Sequence, residues 1–397
     1  MRTEIKMYQQ ELHHLLKNKE LWSRLKGKTI MISGATGMIG TCLTDALMLW
    51  NRTVEKQKAK TDCNEAPKTQ NAPNTQNVSK IQNAPNTQNA SKTDMEGIQV
   101  IALSRKESTA RSRFETYWNH HLFRYISCDV NQSIPECGHV DIIIHAASNT
   151  HPKLYSQDSI GTITSNVFGT KNLLDYGVAH GAELFCFASS VEVYGENRGD
   201  VEKFDEAYLG YIDCNTLRAG YPESKRMGET LCNAYRETYH MDFVIPRLGR
   251  VYGPTMLTSD TKAISQFIKK AAAGENIVLK SEGNQKYSYA FVTDAAAGIL
   301  YSIAFGACGE AYNIADEASD ITLKELAGLL AGIAGTEVVF ELPEEKERKG
   351  YSTATRAMLD SSKLKKLGWT ARVHMEEGLR CTVENITVHA MTNHFAD

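Results

Sequence analysis

The tightest constraint on this chain is local: the apolar run Thr29-Ile30-Met31-Ile32 leads almost directly into Gly34-Ala35-Thr36-Gly37-Met38-Ile39-Gly40. A strand that ends in glycine can turn sharply into a helix, a second glycine lets the backbone approach a pyrophosphate, and a third lets helix and strand pack closely. The start of the helix then offers unpaired amides to the phosphates. The pattern predicts a dinucleotide site on Gly34, Thr36, Gly37, Met38, Ile39 and Gly40. A tight strand-to-helix turn wants glycine for steric reasons too, so the rest of the chain has to decide.

Beyond the turn, strand and helix patterns alternate. Ile98 to Ser104, Phe123 to Ser127, Val140 to His145, Glu183 to Ala188 and Phe243 to Leu248 read as strands, with helices near Thr41 to Trp50, Ser165 to His180 and Pro222 to Tyr239. That alternation predicts an α/β fold, a Rossmann-type doubly wound parallel sheet. After Gly253 the pattern changes to mixed helices and short strands, ending in a helix over Ser361 to Leu367, which predicts a smaller C-terminal α/β cap over the sheet's carboxyl edge. The expected division is a helical extension over 1–26, a dinucleotide-binding domain over 27–250 and an interleaved substrate-binding cap over 251–390. Ile5, Tyr8, Leu12, Leu15, Trp22 and Leu25 recur at helical spacing and predict one amphipathic helix before Gly27. Between about 51 and 97 the motif Gln70-Asn71-Ala72-Pro73-Asn74-Thr75-Gln76-Asn77 recurs from Gln82 to Asn89. This polar repeat has almost nothing apolar to bury and predicts a disordered insertion without catalytic meaning.

With 42% hydrophobic residues, 23% charged residues and a formal net charge of −3, the chain shows no surface suited to nucleic acid or an anionic membrane. Its nine cysteines are scattered without a CxxC pair, which favours free thiols in a reducing compartment and no zinc or other metal site. No apolar segment is long enough to span a bilayer, and the expectation is a soluble cytoplasmic protein.

Tyr221-Pro222-Glu223-Ser224-Lys225 places a tyrosine and a lysine four residues apart, on one face of a helix. An ammonium close to a phenol favours the phenolate and lowers its pKa from about 10, so Tyr221 is a candidate general base. The same spacing also occurs as a surface helix pair.

The companions of these two motifs give the chain a resemblance. Gly34 to Gly40, Asn166-Val167-Phe168-Gly169-Thr170, Ala188-Ser189-Ser190-Val191-Glu192-Val193-Tyr194-Gly195, Tyr221 to Lys225, Arg247 with Tyr252-Gly253-Pro254, and Tyr312-Asn313-Ile314 look like the extended short-chain dehydrogenase/reductases. These are NAD-dependent epimerases, dehydratases and decarboxylases of nucleotide sugars. The segment from His145 to Pro152, the Ser190 to Gly195 run and the Arg218 to Leu231 helix most resemble the UDP-glucuronate decarboxylases, also called UDP-xylose synthases. The resemblance covers nearly the whole chain except the N-terminal helix and the repeat. It implies Ser190 as partner of the reacting hydroxyl, Glu192 as auxiliary acid or base, Tyr221 as base and Lys225 as its electrostatic partner. It also implies cofactor contacts at Ala146, Ala147, Ser148, Asp129 and Val130, substrate contacts at Asn149, Glu192 and Arg218, and a homodimer. The implied activity is a decarboxylation through a transient ketone in surface polysaccharide precursor synthesis. In the 4,6-dehydratases the position of Val191 is an aspartic acid that protonates a leaving hydroxyl, and valine cannot donate a proton. The plainer uses remain open: Ser190 as a turn cap, Glu192 as a structural carboxylate.

Two departures stand out. Many members hold the substrate diphosphate with an asparagine where this chain has Arg250 and an arginine where it has Tyr287; Arg250 is a candidate anion ligand or an ordinary ion-pair partner. At the end of the second strand Ser104-Arg105-Lys106 replaces the acidic residue that would bind the ribose hydroxyls of NAD, a change that leans toward NADP although the similar decarboxylases use NAD. The alternatives are an NADPH-dependent reductase or epimerase of a sugar or sugar-alcohol derivative, and a non-catalytic NAD(P)-sensing protein, against which the intact Ser190, Tyr221 and Lys225 argue.

Overall fold

A computed structural model describes residues 5–65, 97–149, 155, 157–341 and 355–394, with the side chains of 61–65 and 388–394 left out. The repeat from Gln70 to Asn89 and the stretch Thr150, His151 and Pro152 lie outside the described residues.

The first sheet contains β1 (Thr29–Ser33), β2 (Gln99–Ser104), β3 (Phe123–Ser127), β4 (Ile142–His145), β5 (Leu184–Phe187), the two-residue β6 (Ser189–Ser190) and β7 (Asp242–Leu248). Its last member, β11 (Glu310–Ile314), arrives only after β8 (Arg250–Tyr252), β9 (Ile277–Leu279) and β10 (Lys286–Phe291). The order across the sheet is β3-β2-β1-β4-β5-β7-β11, with β6 paired to β7, and all of these pairings are parallel. The inner strands β1, β2, β4 and β5 are mainly apolar because both faces are covered. Ile30, Ile32, Val100, Ala102, Ile142 and Ile144 enter one core, whereas Met31, Ile101, Leu103, Ile143, Phe185 and Phe187 enter another. The expected doubly wound architecture is what the chain adopts.

The N-terminal segment forms two helices rather than one, α1 (Lys6–Leu15) and α2 (Lys19–Leu25). Asn18 breaks the run because its side chain accepts the Leu21 amide at 3.0 Å, an N-cap bond that competes with continued helix. Tyr8, Leu12, Leu15, Leu21 and Trp22 are buried on the first core, and Trp22 stacks on Trp50 with ring centres 4.9 Å apart.

The helix after the glycine turn, α3 (Met38–Glu65), also outruns its expected end at Trp50. Residues 54–60 are mostly good helix formers, so propensity carries the helix on after most of its apolar face has ended. Asn51 is fully buried and grips both backbone groups of Ile98, donating to its carbonyl and accepting its amide at 2.8 Å each. That clamp fixes where the chain re-enters the fold.

Next come α4 (Glu107–Arg113), α5 (Ser159–His180) and α6 (Gly220–Tyr239). The last two pack together on the second core, where Asn166 donates to the Ser224 hydroxyl at 2.9 Å. After β7 the chain builds a smaller unit from α7 (Ala263–Ala272), a sheet ordered β12-β10-β14 with β8 on β10, and the pair β13-β9. Here β12 is Asp316–Thr322, β13 is Val338–Phe340 and β14 is Arg356–Ala357. Between them α8 (Val292–Phe305) returns to the first core, and β11 joins the first sheet, so the two units interleave. Among the described residues the remaining α-helices are α9 (Leu323–Ala334), α10 (Ser362–Lys365) and α11 (Met375–His394); α10 is shorter than the stretch expected from Ser361 to Leu367.

Candidate active site

At the end of β1, Gly34 has φ +69, and a Cβ there would lie 2.7 Å from the Ala146 carbonyl oxygen and from the Ala147 backbone. Only glycine lets the turn touch the end of β4. The Gly37 amide donates to the Gly34 carbonyl at 2.9 Å, and α3 starts at Met38 with its first amides free of intrahelical partners. Thr36, Gly37, Met38 and Ile39 are half-buried and Gly40 is buried, so the turn forms a shallow cradle beside a helix N-terminus. This backbone fits a dinucleotide pyrophosphate.

Along the rim, Ser104 is buried and its carbonyl accepts the Tyr125 hydroxyl at 2.9 Å, while Arg105 and Lys106 are exposed. Asp129 is half-buried and accepts the Asn131 amide at 3.0 Å; Val130 is buried. Past β4, Ser148 and Asn149 are half-buried, and Asn149 Nδ2 donates to Thr162 Oγ1 at 3.4 Å.

Tyr221 sits in the first turn of α6 and is buried. The helix can approach the sheet because position 228 is glycine: a Cβ there would come within 2.3 Å of the Phe187 ring. That approach puts Lys225 over the same ring, 4.7 Å from its centre, with Nζ donating to the Ala188 carbonyl at 2.8 Å. Burial pushes Lys225 down to about 7, against the opposing pull of Glu229 and Cys232. Burial pushes Tyr221 up to about 12, opposed first by its hydrogen bond to Ser190; Glu192 then raises it, and Arg218 and a hydrogen bond to Tyr155 lower it. The expectation that Lys225 draws the Tyr221 phenol downward is therefore corrected. The ammonium is spent on a backbone carbonyl, and the groups that favour the phenolate are Ser190, Arg218 and Tyr155.

Ser190 is the cap that one of its two expected uses called for, and it also contacts Tyr221. Its Oγ accepts the Glu192 amide at 3.3 Å, capping the turn Val191–Tyr194, and it bonds Tyr221. Glu192 is paired: its Oε1 lies 2.8 Å from Arg218 Nη2. Arg218 in turn lies over the Tyr155 ring at 4.6 Å, and Tyr155 stacks on Tyr221 with centres 4.7 Å apart and planes at 25°. From β8, the Arg250 guanidinium lies 3.7 Å over the Tyr287 ring of β10. Burial opposes its charge, yet Tyr287, Glu192, Tyr289 and Tyr155 raise its pKa, so it stays cationic. Among the described residues, Arg218 Nε and Nη1 and Arg250 Nε are buried without a hydrogen-bond partner.

The structure thus brings together Ser190, Glu192, Tyr221, Lys225 and Arg218, with Arg250 and Tyr287 as the next layer, and leaves Arg105 on the outer rim. Arg247 and Asn313, quoted for the resemblance, hold the fold: Asn313 binds the Phe204 and Asp360 carbonyls at 3.0 Å each. Sequence reasoning missed Tyr155 and Phe187, whose nearness to residues 221 and 225 no spacing reveals. It also missed the chemistry of His145, which is fully buried, bonded through Nδ1 to Ser33 Oγ at 2.7 Å and pushed down to about 3 by burial and by Lys225. This imidazole is neutral. A separate cluster, Glu55, His120 and His121, brings ligand-type atoms within 4.8 Å of one another. His120 Nδ1 accepts the Leu122 amide at 3.2 Å, so the proton of the neutral ring is on Nε2, which faces Glu55 at 3.2 Å and lacks a free lone pair for a metal.

Comparison with known proteins agrees with this geometry. The pattern of the NAD dependent epimerase/dehydratase family matches residues 30–315. UDP-glucuronic acid decarboxylase 1 of Danio rerio is 30% identical over 295 residues, 74% of this chain and 68% of that protein. Two solved structures share the fold. A dTDP-glucose 4,6-dehydratase from Streptomyces venezuelae, solved with NAD, has a TM-score of 0.68 at 22% identity and covers 92% of this chain and 98% of its own. A UDP-glucuronic acid 4-epimerase from Bacillus cereus, solved with UDP-glucuronic acid and NAD, has a TM-score of 0.68 at 18% identity, covering 91% and 99%. With the glycine cradle on β1, the tyrosine and lysine on α6 and the sheet order between them, the chain belongs to the NAD dependent epimerase/dehydratase family.

Proposed function

We propose that this protein converts a nucleotide-linked sugar through a transient ketone, with Tyr221 as general base, and that the reaction is decarboxylation of UDP-glucuronate toward surface polysaccharide precursors. The observation that carries the reading is the convergence of Ser190, Glu192 and Arg218 on Tyr221. The decarboxylase relatives supply the substrate class.

NAD or NADP, held by Gly34 to Gly40, Asp129, Val130 and Ala146 to Ser148, supplies the hydride acceptor when bound. Tyr221 takes the proton of the sugar hydroxyl, and its bond to Ser190 keeps that oxygen oriented and offers a second contact to the same hydroxyl. Once a ketone lies β to the carboxylate, CO2 leaves as the breaking C–C bond sends its electrons into an enolate. Val191 holds no proton for a departing hydroxyl, so dehydration is disfavoured. Arg250, braced on Tyr287, and Arg218 offer buried cationic donors for the substrate's anionic groups, with Asn149 as a further polar contact to the substrate. Residues 251–390 serve as the substrate-binding cap.

The cofactor preference proposed is NADP, supported by exposed Arg105 and Lys106 after Ser104; Arg105→Ala should lose the preference, and a wild type that binds NAD+ as tightly as NADP+, or a preference unchanged in Arg105→Ala, would remove it. A homodimer through α5 and α6 is supported by exposed Ile160, Phe168 and Met227 at 76%, 55% and 48% accessibility, and sedimentation as a monomer would exclude it. The altered anion clamp at Arg250 and Tyr287 favours, as second reading, an epimerase or an NADPH-dependent reductase. Incubation with UDP-glucuronate and either cofactor, followed by mass spectrometry, separates the readings. Loss of one CO2 without net cofactor change supports decarboxylation, an isomer of equal mass indicates epimerisation, and net NADPH consumption indicates reduction. No turnover across UDP-, CDP- and dTDP-sugars would leave a cofactor-sensing protein.

A further inference from the structure

We infer that Tyr155 is a positioning residue for the Tyr221 base, holding its ring by stacking and linking it through Arg218 to Glu192. The inference rests on the reading of Tyr221 as base and extends it to a residue outside the motifs. Tyr155 reaches the site from the segment ahead of α5, whose first turn is fixed by the Asp158 carboxylate accepting the Gly161 amide at 3.0 Å. Its ring is buried and lies 4.7 Å from that of Tyr221, with the planes 25° apart. Arg218 sits 4.6 Å from the same ring while pairing with Glu192 at 2.8 Å. The result is a continuous series of contacts, Glu192 to Arg218 to Tyr155 to Tyr221.

The chemistry suits a base that must ionise out of water. A buried phenolate is costly unless donors face it. Tyr155 is hydrogen-bonded to Tyr221, and burial followed by the charge of Tyr221 holds the Tyr155 pKa well above its ordinary value. Tyr155 therefore keeps its own proton when Tyr221 gives one up, and remains a donor. Arg218 adds a cation over the adjoining ring.

The test uses the full-length protein loaded with NAD+ and labelled with carbon-13 at tyrosine Cζ. The Tyr221 resonance is assigned by its loss in Tyr221→Phe, and its pH titration is followed in Tyr155→Phe, which keeps the ring and removes the hydroxyl. The expected result is an upward move of the Tyr221 midpoint by about one pH unit, tenfold less phenolate at a given pH. With UDP-glucuronate as substrate, kcat should fall by about the same factor while KM stays within about twofold and NAD+ affinity is unchanged. Tyr155→Leu, which also removes the ring, should be worse. An unmoved midpoint in Tyr155→Phe, a loss confined to KM, or a gain in kcat on removing the ring would overturn the inference. The titration needs no substrate, so failure of UDP-glucuronate to react would defeat the proposed function and leave the role of Tyr155 still decided by the resonance.

Discussion

Arg247 and Arg218 each pair with a glutamate and each lie over a tyrosine ring, yet they are finished differently. Arg247 spends all three nitrogens: on both oxygens of Glu229 at 3.0 and 2.7 Å, on the Tyr194 hydroxyl at 3.0 Å and on the Glu206 carbonyl at 2.8 Å. Arg218 uses Nη2 on Glu192 and, among the described residues, leaves Nε and Nη1 buried and unpartnered. Buried donors without acceptors are costly, and a fold tolerates them where a ligand brings the acceptors. On the function proposed above, the saturated cluster serves stability and the unsaturated one recognition. Concavity alone would mislead, because an open cleft of about 460 Å³ lies over the saturated cluster, lined by Asp205, Glu206, Glu229, Arg247, Glu310 and Lys363.

The sharpest way to break this comparison is at the two tyrosines. Tyr221→Phe should lower turnover by about 10²–10⁴-fold while NAD+ binding, measured calorimetrically, stays near wild type. Tyr194→Phe should keep turnover. Comparable activity in both variants would erase the distinction.

Next are the arginines themselves. Arg247→Ala strands Glu229 in the interior and should cost about 3–5 kcal/mol in urea unfolding. Arg218→Ala should lose less stability but lower kcat/KM by about 10–100-fold, the value of a charged hydrogen bond to substrate. If Arg218→Ala unfolds as readily as Arg247→Ala and keeps its activity, the functional assignment of the open cluster is wrong.

The smallest effect is a pH dependence. Lys225, with one carbonyl partner, titrates near 7 in the folded chain against 10.5 when unfolded, whereas Arg247 stays charged. Between those values the unfolded state binds the extra proton, so stability rises with pH, by at most about 1.4 kcal/mol per unit. Thermal unfolding from pH 7 to 9 should show that rise in the wild type and a flatter profile in Lys225→Met.

Elements whose residues see mainly their own neighbours could be read from the chain. β3 was expected from Phe123 to Ser127 and runs over those residues, where aromatic and β-branched side chains favour a strand even at the sheet edge. The helix of Tyr221 and Lys225 starts within two residues of its expected place. Where a capping side chain competes with helix, as at Asn18, or where helix propensity outlasts the apolar face, as beyond Trp50, the boundaries moved. In the site, Ser190, Glu192, Tyr221, Lys225 and Arg218 were legible because they stand in motifs, and Tyr155 was not because it stands in none and meets Tyr221 through contacts made across the fold.

The sequence by itself determined the strand-glycine-helix turn, the alternation that makes a parallel sheet and the identity of the groups able to move a proton, since each depends on spacing along the backbone. Only the tertiary structure decided their ionisation. Burial raised the phenol and lowered the amine, the lysine went to a backbone carbonyl, and a second tyrosine with an arginine came to face the base. Such shifts arise from desolvation and from charges brought close through space, and the order of residues along a chain encodes neither directly.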